Sequence, residues 1–204
     1  MELSAKYELS AIIIAGGKSS RMGKDKRLVH LLGESLIERS IKLAESFSSD
    51  IVISSNDHLA EYKAYKVIPD RDKDQGPLAG LISALPEINN SLCIVLSCDM
   101  PNVSVKMVEK LVSSYSHNRI VLYATEKMVQ PFPALIPNSI MKDLTQKYRE
   151  NERSIKAVYQ SLPHTLIQPD DAKLSSGFLN INQPGDIEKA MKIVDDKDDP
   201  QHES

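Results

Sequence analysis

Tryptophan is absent from the 204-residue chain, cysteine occurs twice, glycine eight times, and aromatic residues make up only 5% of it. Two cysteines cannot build a disulfide-stapled scaffold. Cys93 and Cys98 fall in one strand-like segment, which sets them roughly 16 Å apart at about 3.3 Å per residue, beyond disulfide reach. Neither belongs to a C-x-x-C pair or has a histidine nearby, so both read as small buried side chains. Long apolar runs are also missing. The early one, residues 11–15, falls far short of the roughly 20 residues that span a bilayer, and Glu2, Lys6 and Glu8 break any signal-like segment. The expected setting is cytoplasmic, with no membrane.

A dominant charge is lacking too. The net charge is −3, and residues 195–204 carry five acids against Lys197, so the remainder is close to neutral. Such a balance excludes a nucleic-acid-binding role. Residues 1–194 are expected to form a single domain, and residues 195–204 a solvated, disordered acidic tail.

Short runs rich in β-branched and apolar residues recur at 11–15, 50–54, 66–69, 92–97 and 120–125. They do not alternate, as befits parallel strands buried on both faces. Helical spacing separates them: Leu36, Ile37, Ile41 and Leu43; Leu78, Leu81, Ile82 and Leu85; Val105, Val108, Leu111 and Val112. Alternating strands and helices predict an α/β fold, a mostly parallel sheet with helices on both faces. After residue 125 the rhythm changes. Pro131, Pro133 and Pro137 predict an edge strand or bent hairpin, followed by helices near 139–148, 154–162 and 186–194.

Ligands of such sheets sit beyond the carboxyl ends of the strands, which directs attention to the residues after each run. The first is followed by GGKSSRMGKDK, in which Gly17, Lys18 and Ser19 imitate a phosphate-binding P-loop. The P-loop also needs a glycine at the position of Ile12, and a dinucleotide fingerprint needs a G-x-G pair that is missing. A different anion site is expected: Gly16 and Gly17 let the backbone approach a ligand, and Arg21, Lys24, Lys26 and Arg27 add cations. Asp99 ends the fourth run, where one carboxylate suffices for a magnesium ion otherwise held by water and phosphate. Read blandly, the loop is a solvated surface turn and Asp99 a cap.

The form AGG-x-x-x-RMG-x-DK, together with GPLAG at residues 76–80, Cys98-Asp99-Met100-Pro101 and Asn180-Ile181-Asn182, resembles the molybdenum cofactor guanylyltransferase family. The resemblance implies a Rossmann-like three-layer sandwich of the nucleotide-diphospho-sugar transferase type. It also implies transfer of GMP from GTP to molybdopterin with release of pyrophosphate. Ile14, Ala15 and Gly16 would meet the nucleotide through backbone, with Gly17 continuing the loop. Lys26 would bind phosphates, Asp70 the nucleotide, and Asp99 both the nucleotide and Mg2+. Arg21 would balance the leaving pyrophosphate, with Lys26 and Asp99 completing the catalytic set, and Asn180 and Asn182 would lie on the pterin side. Molybdenum-insertion and molybdoenzyme-maturation proteins are the implied partners. In one departure, Ser54 stands where the family can carry a nucleotide-contacting asparagine, and the nearest asparagine is Asn56. A cytidylyl enzyme on the same pterin, a sugar-1-phosphate nucleotidyltransferase and a non-catalytic nucleotide-binding adaptor are the alternatives.

Overall fold

Leu9–Ile14 form β1, and every one of its six residues is buried. A computed structural model of the chain describes residues 8–16, 26–56, 62, 64–72 and 75–198. Asp50–Ser54 (β4) and Leu92–Ser97 (β6) pair in parallel with β1, one on either side. Lys66–Ile68 (β5) extends the sheet beyond β4. On the other flank lie Val129–Pro137 (β8), Ile120–Ala124 (β7) and His164–Ile167 (β9), giving the order β5-β4-β1-β6-β8-β7-β9. All pairings are parallel except the two made by β8, as the alternating pattern predicts. A small hairpin, His30–Leu31 (β2) with Glu34–Ser35 (β3), stands apart and escaped the sequence reading. It turns on Leu32 and Gly33, both at positive φ.

Seven helices accompany the strands: Leu36–Glu45 (α1), Pro77–Ala84 (α2), Val105–Ser113 (α3), Met141–Arg149 (α4), Ile155–Ser161 (α5), Ala172–Ser175 (α6) and Pro184–Asp198 (α7). Right-handed crossovers through α1, from β1 to β4, and through α2, from β5 back to β6, step in opposite directions. They therefore lie on opposite faces of the sheet, and the fold is a three-layer sandwich. Ser35 begins α1 with a capping box, its hydroxyl taking the Glu38 N–H while the Glu38 carboxylate accepts from the Ser35 N–H. Helix α2 differs: all its residues after Pro77 are buried, as expected of a helix that is apolar all round.

Of the two readings its prolines allow, the proline-rich strand β8 takes the bent hairpin, antiparallel to β7, and is interior rather than an edge. Its pairing with β7 jumps from Leu122↔Ala134 to Tyr123↔Gln130, and its pairing with β6 stops at Val95↔Ala134. Pro131 and Pro133 thus fall in a bulge where the ladder asks for no N–H. The short, half-exposed β9 takes the edge instead. Helix α7 runs through Asp198, four residues past the expected end at Val194; residues 199–204 lie outside the described residues. Both cysteines are buried and neither forms a disulfide, and burial pushes the Cys93 thiol pKa up, keeping it neutral. Among the described residues no helix is long and apolar enough to cross a membrane.

Candidate active site

The sheet order reverses at β1, with chain-adjacent β4 on one side and the returning β6 on the other. The crevice therefore opens at the carboxyl ends of these strands. The Ile14 carbonyl accepts from the Cys98 N–H at 3.1 Å, and the Ala15 N–H donates to the Ser54 carbonyl at 2.9 Å. These bonds carry the ladder one residue past β1 and leave Gly16 as the first backbone released into the crevice.

Three of the expected residues meet around Gly16. A Cβ added to Gly16 would lie 3.6 Å from Asp70 Oδ2. Asp70 follows β5, and its carboxylate is fixed from β4: Ser54 Oγ donates to Oδ1 at 2.9 Å and Asn56 Nδ2 to Oδ2 at 3.1 Å. Asn56 Oδ1 in turn accepts the Asp70 N–H at 2.9 Å. Ser54 is fully buried, 0% exposed, and its hydroxyl is engaged by Asp70. Gly80 closes the cluster from α2: a Cβ there would lie 2.4 Å from Ser54 Oγ and 3.0 Å from Asp70 Oδ1. The GPLAG segment is also a helix start, with Gly76 at φ 83° as N-cap and Pro77 in the first turn.

Asp99 stands across the crevice, one strand from Ala15, in a turn closed by the Met100 N–H on the Ser97 carbonyl. Its Oδ1 accepts from Ser97 Oγ at 2.6 Å. Ser104, not Asp99, is the N-cap residue of α3. The Asp99 carbonyl accepts from the Ile181 N–H at 2.8 Å. Residues 180–182, some eighty positions away in sequence, are thereby placed against the metal-ligand candidate, with Ile181 buried and Asn182 exposed.

No group of three or more metal-ligating side chains occurs among the described residues. A magnesium ion needs less, since it takes one or two carboxylates and fills its remaining positions with water and phosphate oxygens. The half-buried Asp99 carboxylate at the crevice fits that demand. Arg27 differs from expectation. Its guanidinium is 7% exposed and donates to Ser55 Oγ at 2.5 Å, so it braces the end of β4. Lys26 opens the short turn Lys26–Leu28. Gly17 and Arg21 lie outside the described residues.

Supports for residues 70–76 were invisible in the sequence. Tyr148 donates from its hydroxyl to Asp72 at 2.8 Å, and Arg153 donates to Gln75 Oε1 at 3.1 Å while stacking 4.1 Å over the Tyr148 ring. Ser83 of α2 accepts the Arg71 N–H at 2.9 Å. The segment between Asp70 and Gly76 is thus pinned from α2 and from the α4–α5 region. Partners more than seventy positions apart leave no local signal.

Comparison with known proteins agrees with this geometry. A family model described as the MobA-like NTP transferase domain matches residues 11–166. The molybdenum cofactor guanylyltransferase of Pseudomonas putida is 34% identical over 187 residues, 88% of this chain and 96% of that protein. A probable molybdenum cofactor guanylyltransferase of Clostridium perfringens is 33% identical, covering 90% of this chain and 96% of that protein. Among solved structures, the molybdopterin-guanine dinucleotide biosynthesis protein A of Archaeoglobus fulgidus superposes with a TM-score of 0.77 at 24% identity, over 92% of this chain and 99% of that one. A 2-C-methyl-D-erythritol 4-phosphate cytidylyltransferase from Thermus thermophilus shares the fold at a TM-score of 0.70 and 14% identity, over 92% of this chain and 99% of that one. The chain therefore belongs to the molybdenum cofactor guanylyltransferase family of nucleotidyltransferases.

Proposed function

We propose that the protein transfers GMP from GTP to the terminal phosphate of molybdopterin. A phosphate oxygen of the acceptor bonds to the α-phosphorus, the bond to the β-phosphate breaks, and pyrophosphate leaves. The observation that carries this reading is the crevice itself. Asp70 lies beside Gly16, Asp99 follows the neighbouring strand β6, and the Ile181 N–H donates to the Asp99 carbonyl. Phosphoryl transfer asks a protein mainly for positioning and charge neutralisation, so this reading requires no protein nucleophile.

The family uses a divalent metal, and magnesium is the ion suited to Asp99. When bound, it would neutralise charge on the phosphates. The chain's own residues do the rest. The Gly16–Gly17 backbone receives the nucleotide with Ile14 and Ala15 beneath it, and Asp70 orients it. Lys26 and Arg21 hold phosphate charge, and Asn180 and Asn182 face the acceptor. Proteins that insert molybdenum and mature molybdoenzymes would work on either side of this step.

The test is kcat/KM for pyrophosphate release with GTP, ITP, CTP and ATP at saturating molybdopterin. GTP should lead, with ITP about tenfold lower because a site built to bond the exocyclic amine is left with a group unmatched. CTP and ATP should be poorer still. Equal values for GTP and CTP would make the protein a cytidylyl enzyme as much as a guanylyl one. Turnover only with a sugar-1-phosphate would displace the pterin acceptor.

A further inference from the structure

We infer that Asn56 is a positioning residue for nucleotide recognition, acting through Asp70. The inference rests on the reading that Asp70 faces the nucleotide. Three observations carry it. First, Asn56 and Asp70 bond reciprocally, the Asn56 amide donating to Oδ2 at 3.1 Å and its carbonyl accepting the Asp70 N–H at 2.9 Å. Second, Ser54 takes the other carboxylate oxygen from a fully buried position. One donor on each oxygen fixes the rotation of the carboxylate and leaves each oxygen a further lone pair. Third, Oδ2, the oxygen that Asn56 holds, is the atom nearest the surface of Gly16, where the backbone enters the crevice. The oxygen toward the ligand is therefore set by Asn56, and the rear oxygen by Ser54.

The chemistry matched by a fixed carboxylate with Oδ2 turned to the crevice is a hydrogen-bond donor, as on the sugar or base of a nucleoside triphosphate. A freely rotating carboxylate would have to be ordered by the ligand, and that ordering lowers affinity.

The experiment is a double-mutant cycle on nucleotide affinity, with GTP titrated calorimetrically into the full chain, no acceptor present, and thermal unfolding followed alongside. Asn56→Ala should weaken GTP about tenfold and, in the complete reaction, raise KM while kcat stays within about twofold. In an Asp70→Ala background the same substitution should cost less than twofold, because its effect runs through the carboxylate. Asn56→Asp separates positioning from turn structure. It keeps the acceptor for the Asp70 N–H but sets a second carboxylate against Oδ2, so it should weaken GTP at least as much as Asn56→Ala. Wild-type affinity in Asn56→Asp, or an equal loss in both backgrounds, would overturn the inference. If the wild-type protein binds CTP in preference to GTP, the guanylyl reading fails, and the cycle run with CTP still decides the role of Asn56. Absence of binding to any nucleoside triphosphate would overturn both.

Discussion

Asp99 is the carboxylate proposed above to serve a hard cation, and neighbouring groups fix it. Ser97 occupies Oδ1, and the Ile181 N–H holds the backbone carbonyl. Asp99→Asn should leave the fold intact and lower magnesium-dependent pyrophosphate release by about 100-fold or more, since a metal contributes several kcal/mol to charge stabilisation. Near-normal turnover, read against an unchanged unfolding midpoint, would remove the metal-ligand role. Lys26 poses a question of charge against shape. If charge decides, Lys26→Arg retains more activity than Lys26→Ala, with incomplete rescue because a planar guanidinium is not an ammonium. Equal loss in the two variants would show that shape decides. The sequence singled out Asp99 as a candidate because it lies just beyond the carboxyl end of a buried run, and parallel strands bring those ends together. The support given to Asp70 by Ser54 and Asn56 was not legible, because it depends on which way side chains point at the end of β4.

Helix α2 illustrates how an element can be fixed by what it lacks. Gly80 presents bare backbone to Ser54 and Asp70, with a prospective Cβ at 2.4 Å from Ser54 Oγ and 3.4 Å from Ser54 Cβ. Gly80→Ala gains helix propensity, yet overpacking of this kind costs about 1–3 kcal/mol, so a net loss of stability is expected in urea titrations. Adding Ser54→Ala should recover only part of that loss, as the closest contact disappears while the approach to Asp70 Oδ1 at 3.0 Å remains. A double variant no more stable than Gly80→Ala alone would place the strain elsewhere. On sequence, the glycine read as part of a loop near a helix start; the tertiary contact is what forbids a side chain there. In strand β8 the prolines pointed to an edge or a bent hairpin; the hairpin with β7 is what forms, and the bulge between Ala134 and Gln130 admits the prolines to the interior.

Across the whole molecule, the end of the sheet opposite the crevice is tied by Asp50 at the start of β4. Partial burial opposes its charge, but the Asn89 N–H at 2.7 Å, the Ser10 hydroxyl at 2.5 Å and the Asn89 amide at 2.8 Å outweigh that and hold its pKa below the ordinary 3.8. A depressed carboxylate contributes stability that is full above the unfolded value and disappears as pH falls through the folded one. Urea midpoints should therefore drop as the pH is taken below about 4, and less steeply in Asp50→Asn. Parallel acid limbs in the two proteins would exclude Asp50 as a contributor.

The sequence by itself determined the class of fold and the place of the chemistry. Unalternating apolar runs can only be strands covered on both faces, and the polar turns after them can only gather at one edge. Its motifs also carried the family. What the tertiary structure alone decided are the contacts between distant segments: residues 180–182 on Asp99, Tyr148 and Arg153 on the segment after Asp70, and Gly80 against Ser54. Strand order, register and the direction of each side chain fix those contacts, and no local pattern of residues encodes them.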